Sequence, residues 1–159
     1  MKKNLTHFTK SGKAQMVDIN DKDITDRIAV ASGEIKMSKS SLEKIIEGDH
    51  KKGDVFGIAR IAAIMASKKT SDLIPLCHNI NLSSVSVDFK ISPRGDIYCI
   101  ATVSTSGKTG VEMEALTAVQ IGLLTIYDMC KSIDRSMVIS NIQLESKKGG
   151  ASGEWERIK

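Results

Sequence analysis

Asp128 and Lys131 are spaced i, i+3 within an otherwise apolar segment that runs from about Val111 to Ser132, so a helix puts both on one face. Fully exposed, such a pair is a minor surface interaction worth roughly 0.2–0.5 kcal/mol. Partly buried and close to another lysine, the aspartate keeps one lysine charged while the two lysines lower each other's proton affinity. That is the condition for acid-base work near neutral pH. A candidate for the second lysine is Lys52, in Lys51-Lys52-Gly53-Asp54, at the entrance to the next helix. Free amide donors at a helix start favour an anion, and a lysine beside them reinforces such a site. The alternative is that Lys51 and Lys52 are solvated surface residues.

Two further segments carry unusual chemistry. Leu73-Ile74-Pro75-Leu76-Cys77-His78-Asn79 is an apolar run that Pro75 keeps from being a regular helix, and it ends in a histidine. His78 in that setting is either a proton carrier or phosphate donor, or a structural residue; the segment alone favours neither. Cys77 and His78 are adjacent, and the other imidazoles are only His7 and His50, so no metal site is expected. Thr105-Ser106-Gly107-Lys108-Thr109-Gly110 lacks the GxxxxGK[ST] spacing and follows a hairpin strand, which excludes a P-loop. Glu112 and Glu114 then open a helix, where carboxylates are electrostatically favoured. Glu114 lies 14 residues before Asp128, about 21 Å along one helix, so the two cannot touch one small group within a single chain. If both serve one pocket, a second copy of the chain is the simplest way to unite them.

The elements that must hold these residues follow from apolar spacing. Residues 1 to about 26 read as an irregular arm with Phe8, Met16, Val17 and Ile19 as anchors. Ile28 to Met37 reads as a strand interrupted by Gly33. Ser40 or Ser41 caps a short helix through Ile46, with Glu43 as capping-box partner of Ser40. Asp54 caps a second helix with Ile58, Ile61, Ala62, Met65 and Ala66 at helical spacing. Val85, Val87, Phe89 and Ile91 form one strand, and Ile97, Cys99, Ala101 and Val103 a second, joined at Pro93-Arg94-Gly95-Asp96. The long helix has Met113, Leu116, Val119, Gln120, Leu123, Tyr127 and Cys130 as its core stripe, widened by Ile121, Leu124 and Ile126, which suggests contact with another subunit. Val138, Ile142 and Leu144 mark a last strand, and residues 147–159 a flexible loop and C-terminal tail. This order predicts an α+β, ferredoxin-like β-α-β-β-α-β sandwich with an antiparallel sheet, plus the N-terminal segment.

Bulk properties fit one soluble domain spanning 1–159. The chain has 41% hydrophobic and 26% charged residues, in the globular range. Only 4% are aromatic, and the net charge is +4, so neither base stacking nor a strong phosphate field argues for nucleic acid. Cys77, Cys99 and Cys130 form an odd set without CxxC spacing, expected to be reduced and mostly buried thiols. No apolar stretch approaches a membrane span or a signal h-region, which predicts a cytoplasmic protein with no membrane partner.

Four motifs together resemble the cyclic pyranopterin monophosphate synthase family of molybdenum cofactor biosynthesis: His50-Lys51-Lys52-Gly53-Asp54-Val55, Asp72-Leu73-Ile74-Pro75-Leu76-Cys77-His78, Gly107-Lys108-Thr109-Gly110-Val111-Glu112-Met113-Glu114-Ala115-Leu116 and Tyr127-Asp128-Met129-Cys130-Lys131. The resemblance extends over nearly the whole chain. It implies a lyase acting on (8S)-3′,8-cyclo-7,8-dihydroguanosine 5′-triphosphate, the product of a GTP 3′,8-cyclase step, and a homohexamer built as a trimer of dimers with sites between subunits. It also implies Lys52, Lys131 and Asp128 as catalytic residues. Leu76, Cys77, His78, Glu112, Met113 and Glu114 would contact substrate, with Lys68, Lys147 and Arg27 as further basic positions. No tightly bound cofactor is implied, though Mg2+ can accompany the triphosphate. Lys51 and Asn79 depart from the family's common histidine and proline, which bears on local tuning. A non-enzymatic, oligomeric nucleotide-binding protein is the competing expectation.

Overall fold

The structure, a computed structural model, describes residues 6–47 and 54–158. Its elements in chain order are β1 (Thr25–Lys36), α1 (Lys39–Ile46), α2 (Val55–Ser67), α3 (Thr70–Leu73), β2 (Ser84–Ile91), β3 (Ile97–Gly107), α4 (Glu112–Cys130), β4 (Val138–Lys148) and β5 (Trp155–Glu156). The strands form one antiparallel sheet in the order β2-β3-β1-β4-β5. Without the short β5 this is the order expected of a ferredoxin-like α+β fold.

That topology fixes the helix directions. β1 and β2 both pair antiparallel with β3, so they run parallel to each other and α2 must return between them. β3 and β4 both pair antiparallel with β1, so α4 returns in the opposite sense. The start of α4 therefore lies at the end of the helix layer where α2 finishes, and its last turn lies where α2 begins.

The core fills the space between helices and sheet. Ile35, Ile97, Val103, Val119, Leu123 and Ile126 are fully buried there. Burying each such side chain contributes about 1.5–3 kcal/mol. Gly33 is the closest point: a Cβ built on it would meet Val119 Cγ1 at 2.8 Å and Leu123 Cδ1 at 3.0 Å. The glycine that interrupts the strand pattern is thus what lets α4 lie against β1.

Several sequence expectations shift. α1 is capped by Ser38, whose side chain accepts from the Ser41 amide, instead of by Ser40 or Ser41; Glu43 pairs with Lys39 at 3.7 Å. Asp54 caps α2 as expected, accepting from Gly57 N at 2.9 Å. The buried face of α2 is Val55, Ala59, Ala63, Ala66 and Ser67, whereas Ile58, Ile61 and Met65 are exposed. Small residues win the inner face because α2 and α4 approach closely: Ala63 Cβ lies 3.3 Å from a Cβ built on Gly122. On α4, Met113 and Gln120 are exposed, and Ala115, Ala118, Val119, Leu123 and Ile126 form the core stripe. β1 starts at Thr25, Lys147 and Lys148 belong to β4, and β5 pairs with β4 through Trp155 and Glu156.

Candidate active site

A cleft of about 280 Å³ opens beside the first turn of α4. Its lining joins two segments far apart in sequence, Leu76-Cys77-His78 and Glu112-Met113-Glu114, with Thr6, His7, Val17, Ile19 and Lys22 of the N-terminal segment. The first segment arrives there because α3 stops at Leu73 before Pro75 and a turn follows, with Cys77 N donating to Ile74 O at 3.1 Å. The second arrives as the opening of α4.

Glu114 is the electrostatic centre of the cleft. It is 3% exposed, and its Oε2 has no hydrogen-bond partner among the described residues. Burial, with a smaller push from the charge of Glu112, raises its carboxyl to about 7, so neutral and ionised forms coexist near neutral pH. The Cys77 thiol is also raised, by burial first and by Glu114 second. Glu112 is neutralised from another direction, by Lys147 Nζ at 3.5 Å. Lys147 also donates to Ser152 Oγ. It faces the helix layer because it pairs with the buried Ala29, and Arg27, two residues earlier on β1, shares that face. Arg27 Nε donates to Gly107 O at 2.9 Å, and Gly150, at φ 74°, passes so close that a side chain there would strike the guanidinium. Lys68 is exposed at the C-cap of α2, at this same end of the helix layer.

Asp128 and Lys131 occupy the other end. Lys131 Nζ donates to Asp128 Oδ1 at 2.5 Å, with about half or more of each side chain open to solvent. Among the described residues this pair stays open to solvent, and α4 holds it about 21 Å from Glu114. Lys52 lies outside the described residues. The structure thus unites the Leu76–His78 and Glu112–Glu114 segments, sets Lys147 and Arg27 beside them, and leaves Asp128 and Lys131 remote.

With this geometry in hand, the decisive comparison is a family model: the MoaC family model matches residues 16–150, which span every described element except β5. The chain belongs to the MoaC family. Its role is therefore in molybdenum cofactor biosynthesis, on a small-molecule substrate. No helix among the described residues is long and apolar enough to cross a membrane. In MoaC-family terms, the helix start that carries Glu112 and Glu114 and the helix end that carries Asp128 and Lys131 are both inside the matched range.

Sequence reasoning missed the N-terminal wall of the cleft. His78 Nε2 donates to Val17 O at 2.7 Å, and Lys108 Nζ donates to Asn20 O at 2.6 Å, so these two side chains stitch this segment down. The alternation of Val17 and Ile19, both partly buried among polar neighbours, was the available signal. It also missed Asp134, a buried carboxylate just beyond α4 that ties α4 to the start of α1.

Proposed function

We propose that this chain is a cyclic pyranopterin monophosphate synthase, converting (8S)-3′,8-cyclo-7,8-dihydroguanosine 5′-triphosphate to cyclic pyranopterin monophosphate and diphosphate. The observation that carries the reading is the cleft in which Leu76-Cys77-His78 and Glu112-Met113-Glu114 converge inside a MoaC-family chain. The reaction opens the modified purine ring, rearranges it to a pyranopterin, and lets a ribose-derived hydroxyl attack the α-phosphate as diphosphate leaves. Glu114, poised between protonation states, suits recognition of the N–H edge of a guanine-derived ring. Lysines suit the rest: they donate protons to ring atoms and, charged, stabilise phosphoryl oxygens. Lys52 and Lys131 take those roles, with Asp128 orienting Lys131 or acting as base, and Lys68, Lys147 and Arg27 add positive charge.

A complete site in this reading needs two chains. The 21 Å between Glu114 and Asp128 is bridged when the exposed Asp128–Lys131 end of one subunit meets the cleft of another, within a hexamer assembled as a trimer of dimers. The exposed Ile58, Ile61, Met65 and Leu124 supply an apolar surface for such contacts. Magnesium fits as a companion of the triphosphate, held by phosphate and water. Of the cleft's carboxylates, Glu112 is already paired and Glu114 is buried and half neutral, a poor cage for a resident cation.

Supplying purified protein with the cyclised GTP derivative and following diphosphate and pyranopterin tests the reaction. Wild-type turnover lost in both Lys52→Ala and Lys131→Ala supports it. Nucleotide binding without turnover in the wild type would instead make the chain a non-enzymatic nucleotide-binding oligomer. Mixing Glu114→Ala with Lys131→Ala subunits checks the shared site: activity should return after subunit exchange, and its absence despite exchange overturns the shared pocket.

A further inference from the structure

The N-terminal segment forms one side of the cleft, contributing five of the residues that line it. It is locally structured: Phe8 and Ala14 form an antiparallel bridge around a turn at Thr9–Gly12, and the Lys22 amide closes a second turn on Ile19 O at 3.1 Å. It is held over the site through main-chain carbonyls, Val17 O by His78 and Asn20 O by Lys108. With Nε2 donating to Val17 O, one of the two ring nitrogens of His78 is taken up by the segment and only Nδ1 is left to face a ligand. Its contact in this structure is with the segment.

That leaves the question of which group meets a phosphate on this side. The charge of Lys147 is partly satisfied by Glu112 at 3.5 Å. Lys22 lines the cleft and, among the described residues, its ammonium meets no carboxylate and no hydrogen-bond acceptor. A lysine carried to a cleft and left unpaired there is available to an anion. Resting on the reading that the substrate is a nucleoside triphosphate derivative, we infer that Lys22 is a phosphate-binding residue of this site, presented by an N-terminal strap that His78 and Lys108 pin in place. His78 is then a positioning residue for the strap.

The test uses the full-length protein and inorganic diphosphate, the leaving group of the proposed reaction, measured by titration calorimetry. Lys22→Ala should weaken diphosphate binding about tenfold, equivalent to about 1.4 kcal/mol. Lys22→Arg should stay within about threefold. Lys108→Met, which frees the strap at Asn20, should weaken binding by an intermediate factor and speed proteolytic cleavage within residues 6–24. Lys13→Ala, on the same segment but outside the cleft lining, should bind like the wild type. In turnover assays Lys22→Ala should raise KM about tenfold with kcat within about threefold, a split that a general loss of structure would not produce. Wild-type affinity in Lys22→Ala, equal weakening in Lys13→Ala, or no diphosphate binding by the wild type would each overturn the assignment. Diphosphate bound through Lys22 by a protein that turns over no cyclised nucleotide would keep the assignment and remove the reaction.

Discussion

At the start of α4, Glu114 is buried with an oxygen that meets no hydrogen-bond donor among the described residues, whereas Asp134, just past its end, is buried to a similar degree with both oxygens occupied. Asp134 Oδ2 accepts from Ser38 N at 2.7 Å, and Oδ1 accepts from Ser136 N at 2.8 Å and Ser136 Oγ at 2.6 Å. Those donors hold its carboxyl at about 2, while burial lifts Glu114 to about 7. The same functional group, removed from water twice, is locked as an anion in one place and kept undecided in the other. An enclosed carboxylate with every acceptor site used is structure; one left with an open oxygen in a cleft is available to a ligand. Between Glu114 and Asp134 lies the third case, Asp128, exposed and paired with Lys131.

The largest expected effect is at that exposed pair. Lys131→Ala should reduce turnover of the cyclised nucleotide by about 10³-fold, near 4 kcal/mol of transition-state stabilisation. Because the side chain is half exposed, chemical denaturation of the same variant should differ from wild type by less than about 0.5 kcal/mol. A variant that loses stability in step with activity would move Lys131 to the structural side of the comparison.

Glu114→Gln probes the undecided carboxylate by pH. The folded value of about 7 lies above the ordinary 4.5, so the native state holds its proton longer than the unfolded chain does. Its stabilising effect is complete below pH 4.5 and is lost as pH rises through 7, by at most roughly 3 kcal/mol. Denaturation at pH 5 and pH 8.5 should show wild-type stability falling across that interval, and Glu114→Gln, which cannot ionise, should lack that fall and be the more stable at pH 8.5. Parallel pH profiles would mean that Glu114 finds a partner in solution.

Asp134→Asn should cost about 1–3 kcal/mol, since an amide nitrogen would face a donor where an anion now accepts three hydrogen bonds. The pH dependence has the opposite sign. The carboxyl lies below its ordinary 3.8, so its contribution is present above pH 3.8 and is lost as pH falls through about 2. The stability advantage of the wild type over Asp134→Asn should therefore hold steady above pH 4 and shrink as pH falls toward 2, and an advantage unchanged at pH 2 would contradict this.

The element order and the strand faces were legible because alternation is a local signal: Ile97, Cys99, Ala101 and Val103 are all fully buried. Helix faces were less so. Ile58, Ile61 and Met65 carry the apolar spacing of α2, yet Ala59, Ala63 and Ala66 take the inner face, because closeness to α4 selects for size and a hydrophobicity pattern does not report size. At the site, residue types pointed to Glu114 and His78, but the state of Glu114 depends on what surrounds it in three dimensions, and the bond from His78 to Val17 spans 61 residues. The remoteness of Asp128 from Glu114 was legible in full, since a helix converts sequence distance into length.

The smallest effect separates the two readings of the first helix cap. Ser40 with Glu43 has the sequence form of a capping box, but Ser38 is the residue whose Oγ accepts from Ser41 N, at 3.3 Å, while its own amide donates to Asp134. Asp134 thereby fixes the backbone of Ser38, and the cap falls two residues earlier than the local pattern suggests. Ser38→Ala should cost about 1 kcal/mol and leave the Asp134 contact in place, since that contact uses the backbone. Ser40→Ala, exposed and one turn-position too late, should be within about 0.3 kcal/mol of the wild type. Equal losses in the two variants would return the cap to the sequence reading. A loss in Ser38→Ala alone would mean that a buried, fully bonded carboxylate past the end of α4 sets where α1 begins.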